Sequence, residues 1–117
     1  MRYALVACAL ILSAQIEPEL HLVPPKLVLQ ADSLGFAQGR VQVLNRGGEP
    51  LQIRRVIPSC NCASATVLKN PVHPLEVGEI LLRINTKDWR DSIGVVEFEI
   101  ESNTTPVRYP VTVHRRH

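Results

Sequence analysis

Apolar side chains recur at every second position along most of this chain. In the clearest segment, residues 94–102, three apolar side chains alternate with three carboxylates. The apolar set is Val96, Phe98 and Ile100, and the acidic set is Glu97, Glu99 and Glu101. A period of two is typical of a β-strand with one buried and one solvated face. The segment therefore predicts a half-buried strand with an acidic outer face.

Similar patterns appear in five further segments that are separated by turn residues. These are KLVLQ (26–30), GRVQVLNRG (39–47), PLQIRRVIP (50–58), GEILLRINT (78–86) and VRYPVTVHR (107–115). No segment sustains the apolar period of about 3.6 residues that a helix requires. Six or seven short strands at this spacing predict an all-β fold, an antiparallel β-sandwich of about seven strands.

Three places interrupt the alternation. The pair Arg54-Arg55 breaks one strand pattern, and a β-bulge or a change of sheet would restore its register. Pro110 cannot donate a backbone hydrogen bond, so the last strand is predicted to be an edge, or this position to face solvent. Pro24-Pro25 breaks the first strand into two pieces.

The chain begins with MRYALVACALILSAQ, which differs from everything after it. A positive charge at Arg2 precedes an apolar run, and small residues end at Ala14, which is the order of a secretory signal. The run is shorter than the about 20 residues that cross a bilayer. We predict a signal peptide at 1–14, a domain at 20–117 and a secreted or periplasmic protein of the cell envelope.

Cys8 allows a second reading of this leader. The stretch Leu5-Val6-Ala7-Cys8 resembles a bacterial lipobox, whose cysteine is acylated. Only seven residues precede Cys8 and the apolar run continues past it, which is short for an export signal. Membrane attachment is therefore expected only if Cys8 is lipidated.

Charge and side-chain chemistry narrow the functional classes. The formal net charge of +2 gives no electrostatic case for binding nucleic acid. Ser59, Ser64 and His73 form no recognisable arrangement of nucleophile, base and orienting group. Asp88 and Asp91 lie in a polar stretch and are typical of solvated charges. We expect no enzyme activity and no cofactor.

Three motifs match a known family. NRGGEPLQIRRVIPSCNCASA (45–65) resembles the pattern N-x-G-x-x-P-L-x-I-x-x-V-x-x-S-C-G-C-T of a bacterial domain of unknown function, number fifteen seventy-three. LEVGEILLRINT (75–86) is similar to its P-G-E-x-x-x-I-x-V-x-F-D-T, and ESNTTPVRYPVTV (101–113) to its T-N-D-P-x-x-P-x-x-x-L-x-V. The resemblance, which runs from about Pro24 to Val113, implies an immunoglobulin-like fold akin to the Hydin and major-sperm-protein domains.

The sequence departs from this family at the cysteine motif. Asn61 stands where the family has glycine, and Ala63 replaces its threonine. Asparagine is the non-glycine residue that best tolerates positive φ, so we expect the tight backbone between the thiols to be retained.

Cys60, Asn61 and Cys62 form the candidate interaction or thiol site. In an extended strand the two Cα atoms would lie roughly 6.6 Å apart, so a direct disulfide needs a turn at Asn61. Two free thiols are one alternative to the disulfide. A shared metal ion is another, because metals such as Cu(I) or Zn bind sulfur. Zn normally takes four ligands, and the nearest imidazole in sequence is His73, a weak candidate.

Two functional hypotheses follow. The first is a non-catalytic, exported module that binds a protein partner at the bacterial cell envelope through a sheet edge or a set of loops. The alternative is a thiol-dependent metal or redox carrier that uses Cys60 and Cys62. Trp89, in the polar stretch NTKDWRDSIG, is expected to cover the end of the core rather than to anchor a partner.

The export hypothesis predicts the mass of the mature protein. Cleavage after Ala14 gives a mature protein that begins at Gln15. Its intact mass is measured on protein recovered after expression of the full chain. A mass that retains Met1, or that carries an acyl chain on Cys8, would contradict cleavage at this position.

Overall fold

The computed structural model describes residues 16–115, which fold into eight β-strands. The strands are β1 (Leu20–Val23), β2 (Leu27–Gln30), β3 (Phe36–Asn45), β4 (Ile53–Pro58), β5 (Ala63–Val67), β6 (Val77–Asn85), β7 (Ile93–Ser102) and β8 (Val107–His114). Within this part of the chain, no helix has the length and apolar character of a membrane span. The predictions of a signal peptide at 1–14 and of a lipidated Cys8 lie outside the described residues.

The strands form two four-stranded sheets. One sheet has the order β1-β3-β6-β5, and the other has the order β2-β8-β7-β4. The edge strands β4 and β5 follow one another in the chain, and their residues contact each other on one side of the sandwich, which we call the β4–β5 side. The edges β1 and β2 border the other side, called the β1–β2 side. The predicted all-β sandwich is confirmed.

The core is built from the predicted alternating positions. On β7 the side chains of Val96, Phe98 and Ile100 are buried, whereas Glu97 between them is exposed. Strands β3, β6 and β8 add further inward-facing residues, namely Ala37, Val41, Val43, Ile80, Leu82, Ile84, Tyr109, Val111 and Val113. Each large apolar side chain contributes about 1.5–3 kcal/mol when it leaves water. Burial between the sheets is therefore the main stabilising term.

One strand pair corrects the expectation of a purely antiparallel sandwich. β2 runs parallel to β8, with Leu27 opposite Val111. The chain leaves β1 in one sheet, crosses over at Pro24-Pro25 and continues as β2 in the other sheet. The buried Tyr109 donates its hydroxyl hydrogen to the carbonyl of Pro24 at 2.7 Å, which ties the crossover to β8.

Two of the predicted irregularities are resolved by the sheets. The register of β4 against β7 shifts between Ile53 and Arg55, which confirms the bulge. Arg55 then forms a two-point ion pair with Glu101, at 2.5 and 3.2 Å. Pro110 is exposed, but its strand β8 lies between β2 and β7. The solvent-facing alternative for Pro110 is therefore right, and the edge alternative is wrong.

Asn45 joins three segments at one end of the sandwich. Its side chain is buried, and its amide group donates to the carbonyls of Glu49 at 2.7 Å and Val72 at 2.9 Å. Its amide oxygen accepts from the backbone N–H groups of Glu19 at 3.1 Å and Gly47 at 2.9 Å. Every hydrogen-bonding atom of this amide is therefore satisfied, which removes the desolvation penalty of a buried polar group.

Replacing Asn45 should strongly destabilise the fold. Asn45→Asp keeps the shape of the side chain but removes both donors and buries a carboxylate beside two carbonyls, which we expect to lower the free energy of unfolding by about 3 kcal/mol. Urea denaturation followed by circular dichroism measures this loss. Asn61→Asp, at an exposed position, is the matched control; equal midpoints for the two variants would contradict the role given to Asn45.

Candidate functional site

The cysteine turn, residues Ser59–Cys62, connects the two sheets on the β4–β5 side. β4 ends at Pro58 and β5 begins at Ala63, and the two strands belong to different sheets. The N–H of Ser59 donates to the carbonyl of Glu97 at 2.8 Å, and the Ser59 hydroxyl accepts from the N–H of Glu97 at 2.9 Å. At its other end, the carbonyl of Cys62 accepts from the N–H of Asn85 at 2.8 Å. Both sheets therefore anchor the turn.

The turn brings the two sulfur atoms together. Cys60 and Cys62 are joined as a disulfide, and their Cα atoms are 5.2 Å apart, within the usual range for a disulfide. The N–H of Ala63 donates to the carbonyl of Cys60 at 3.3 Å, which closes the chain around Asn61. The N–H of Cys62 also lies 2.9 Å from the Cys60 sulfur. This is the turn at Asn61 that a direct bond requires.

Asn61 makes the turn without the backbone conformation expected of a glycine substitute. It is exposed at the tip, and the one non-glycine residue with positive φ in the described part of the chain is Leu75. The expectation that Asn61 replaces glycine because it tolerates positive φ therefore has no support in the geometry. Cys62 packs against the core, so the motif fastens the turn to the interior.

His73 does not join the cysteines. It follows β5, near the end of β6 that begins at Val77, whereas Cys62 hydrogen-bonds to Asn85 at the other end of β6. The length of β5 and β6 separates the imidazole from the sulfur atoms. Among residues 16–115, no three His, Cys, Asp or Glu side chains lie close enough together to hold a metal ion.

Trp89 covers one end of the core, as expected. It is partly buried and packs against the core cluster, and a β-carbon added at Gly94 would lie 2.6 Å from its ring. The backbone N–H of Trp89 donates to the carbonyl of Thr86 at 3.0 Å, and Arg115 donates to the Trp89 carbonyl. These bonds hold the backbone of the residue, while its ring packs against the core.

Two apolar surfaces were not singled out by the sequence. On the outer face of the sheet containing β8, Val28 and Val95 flank Thr112, and both valines are more than half exposed, at 64% and 62%. Elsewhere Leu75 is 86% exposed with φ of 64°, and its N–H donates to the buried Asn45 carbonyl at 2.8 Å. That hydrogen bond attaches the Leu75 backbone to the end of β3.

Strand β5 was also missed, and its edge is a third candidate surface. Its sequence ASATV alternates alanine and valine with serine and threonine, so the contrast in hydrophobicity is too weak to predict a strand. Ser64 and Thr66 face solvent, while the other three side chains pack against the core. Its partner is β6, and no strand of the described part of the chain lies on its other side.

Comparison with protein families places this chain. The family described as "Protein of unknown function (DUF1573)" matches residues 34–114. The chain belongs to this family, and the resemblance drawn from the motifs is confirmed. A comparison with curated proteins found no match.

Solved structures share the fold at low sequence identity. A protein of unknown function from Porphyromonas gingivalis W83 is 13% identical with a TM-score of 0.74, over 86% of this chain and 48% of that chain. The periplasmic chaperone SfaE is 7% identical with a TM-score of 0.64, over 85% of this chain and 59% of that one. The secreted serine protease VesC from Vibrio cholerae is 12% identical with a TM-score of 0.58, over 91% and 24%.

These likenesses establish the fold and leave the activity open. The chain spans about half the length of the Porphyromonas protein and a quarter of the protease. At identities this low, a shared sandwich carries no shared site, because one fold hosts many functions. A β-sandwich domain of unknown function is the class that the fold and family define.

The disulfide predicts a specific mass for one peptide. Trypsin cleaves after Arg55 and Lys69, and the peptide between them contains Cys60 and Cys62 but not Cys8. Digestion under non-reducing conditions, with free thiols blocked by iodoacetamide, should give this peptide unalkylated and lighter by two hydrogen atoms. Recovery of the doubly alkylated peptide without prior reduction would contradict the bond, and Cys60→Ser should expose Cys62 to alkylation.

Proposed function

We propose that this chain is an exported, non-catalytic module that binds another protein at the bacterial cell envelope. The observation that carries the proposal is that each sheet ends in edge strands whose outer backbone groups have no neighbouring strand among residues 16–115. Such edges pair readily with other polypeptides. The likeness to a periplasmic chaperone, SfaE, supports this reading at the level of fold.

The positions of the polar side chains support a non-catalytic role. The Ser59 hydroxyl is engaged by the N–H of Glu97, and His73 lies at the far end of β6 from the cysteine turn. A serine nucleophile requires its base within hydrogen-bond reach. Ser59 and His73 are held apart by the length of β6.

Export is part of the proposal and is supported by the leader. MRYALVACALILSAQ has the order of charge, apolar run and small residues of a signal peptide. A disulfide between Cys60 and Cys62 fits an oxidising compartment, since disulfides persist outside the cytosol.

One observation favours the second candidate, a thiol-based redox or metal carrier. The two sulfur atoms lie together in a turn whose tip, Asn61, is exposed. In the reduced protein both thiolates are available to a soft metal such as Cu(I). Titration of the reduced protein with Cu(I), against a Cys60→Ser/Cys62→Ser variant, tests this candidate; equal uptake by the two proteins would eliminate it.

Crosslinking in the native bacterium tests the interaction directly. A photoreactive amino acid is placed singly at Val28, Gln38, Asn61 or Ser64, which are exposed positions on different surfaces. We expect at least one position to give a discrete adduct with one envelope protein, identified by mass spectrometry. If no position gives an adduct, or if the chain remains in the cytoplasm, the proposed function is wrong.

A further inference from the structure

The two sides of the sandwich are closed by side chains of different size. On the β1–β2 side, four leucines face inward from the edge strands, Leu20, Leu22, Leu27 and Leu29, and all pack against the core. Two of them fill the space beside Gly39, where an added β-carbon would lie 2.8 Å from the Leu27 and Leu29 methyl groups. This side is covered by large apolar residues.

The β4–β5 side is lined by smaller residues. The inward-facing side chains of β5 are Ala63, Ala65 and Val67, and Val56 faces them from β4. All four are partly buried, as the four leucines of the other side are. The two sides therefore differ in the size of the side chains that border the core, and no residue as large as leucine faces inward from β5.

The backbone of β5 presents a defined set of hydrogen-bonding groups on this side. In its pairing with β6, the carbonyl of Cys62 accepts from Asn85, and the N–H of Leu68 donates to Glu79 at 2.9 Å. Along an antiparallel strand, residues whose backbone groups bond to the partner strand alternate with residues whose backbone groups point away from it. Ser64 and Thr66 therefore bond to β6, whereas Ala65 and Val67 direct their N–H and C=O groups away from the sheet.

The other three edges carry features that discourage pairing. β4 contains a bulge, two arginines and Pro58, while β1 and β2 have four residues each and are separated by Pro24-Pro25. Charges, bulges, prolines and short length are the usual means of protecting an edge. β5 has five residues and contains neither a charge nor a proline.

We infer that the β5 edge is a docking site for an extended segment of a partner protein, which adds to the sheet as a fifth strand. This inference rests on the proposed function and assigns its binding surface. The N–H and C=O groups of Ala65 and Val67, which point away from β6, select an extended backbone. Alternate side chains of the added strand lie on the same face of the sheet as Ala63, Ala65 and Val67, at the border of the core, so the segment carries apolar residues, such as valine or leucine, at every second position.

A variant pair separates backbone docking from side-chain effects. Ala65→Pro removes the outward N–H without removing a hydrogen bond to β6, and proline is tolerated at such an edge position. Ser64→Ala alters an exposed side chain beside it and retains both outward N–H groups. Equal unfolding midpoints for Ala65→Pro and the parent protein establish that the fold is intact. If Ala65→Pro unfolds, the variant Ser64→Lys/Thr66→Glu takes its place, because charged side chains on an edge strand discourage pairing.

The test uses a displayed library of random seven-residue peptides and the mature chain purified after export. We expect the selected peptides to alternate apolar and polar residues. Their binding should slow hydrogen exchange at the Ala65 and Val67 amides by at least about tenfold. They should bind the Ser64→Ala variant but not the Ala65→Pro variant.

Three results would overturn the inference. They are selected peptides that do not alternate, exchange protection confined to β1, β2, β4 or Leu75, and undiminished binding to the Ala65→Pro variant. A concentration-dependent dimer formed through β5 in sedimentation experiments would also overturn it, because a second copy would then be the occupant.

The crosslinking result distinguishes the two levels of failure. An adduct from Val28, Gln38 or Asn61 but not from Ser64 would retain the proposed interaction and remove β5 as its site. The absence of an adduct at every position would remove both.

Discussion

The strict alternation of inward and outward side chains on paired strands is the constraint on which this molecule depends. A shift of β6 by one residue would turn Ile80, Leu82 and Ile84 towards water and bring Arg83 into the core. The cost of that exposure fixes the register of the sheet. The register in turn decides which backbone groups of β5 face β6 and which face outward.

The cysteine turn connects the two sheets and has to join strands whose registers are already fixed. The chain must pass from β4 in one sheet to β5 in the other within four residues, and the bond between Cys60 and Cys62 holds that short connection compact. Hydrogen bonds from Glu97 and Asn85 attach it to both sheets. The turn thereby sets the position of β5 relative to β4.

Strands with strong contrast between their faces were predictable, and weaker ones were not. The acidic and apolar faces of β7 and the bulge at Arg55 follow from local pattern. The crossover at Pro24 was visible as a break, but its parallel pairing with β8 depends on long-range packing, including the hydrogen bond from Tyr109. β5 was missed because alanine against serine carries little signal.

The candidate site was predictable as a motif but not as a surface. Cys60 and Cys62 were recognisable from sequence, and so was the need for a turn between them. Sequence proximity suggested His73 as a companion, yet β5 carries the chain to the opposite end of the sandwich before that residue. An open edge is a property of strand order, which no local pattern of residues encodes.

Hydrogen exchange of the free protein, resolved by residue, tests the register and the open edge together. The account predicts alternation along β5: slow exchange at the amides of Ser64 and Thr66, which bond to β6, and fast exchange at Ala65 and Val67, which face outward. Uniform protection of all four amides, or the opposite alternation, would contradict it.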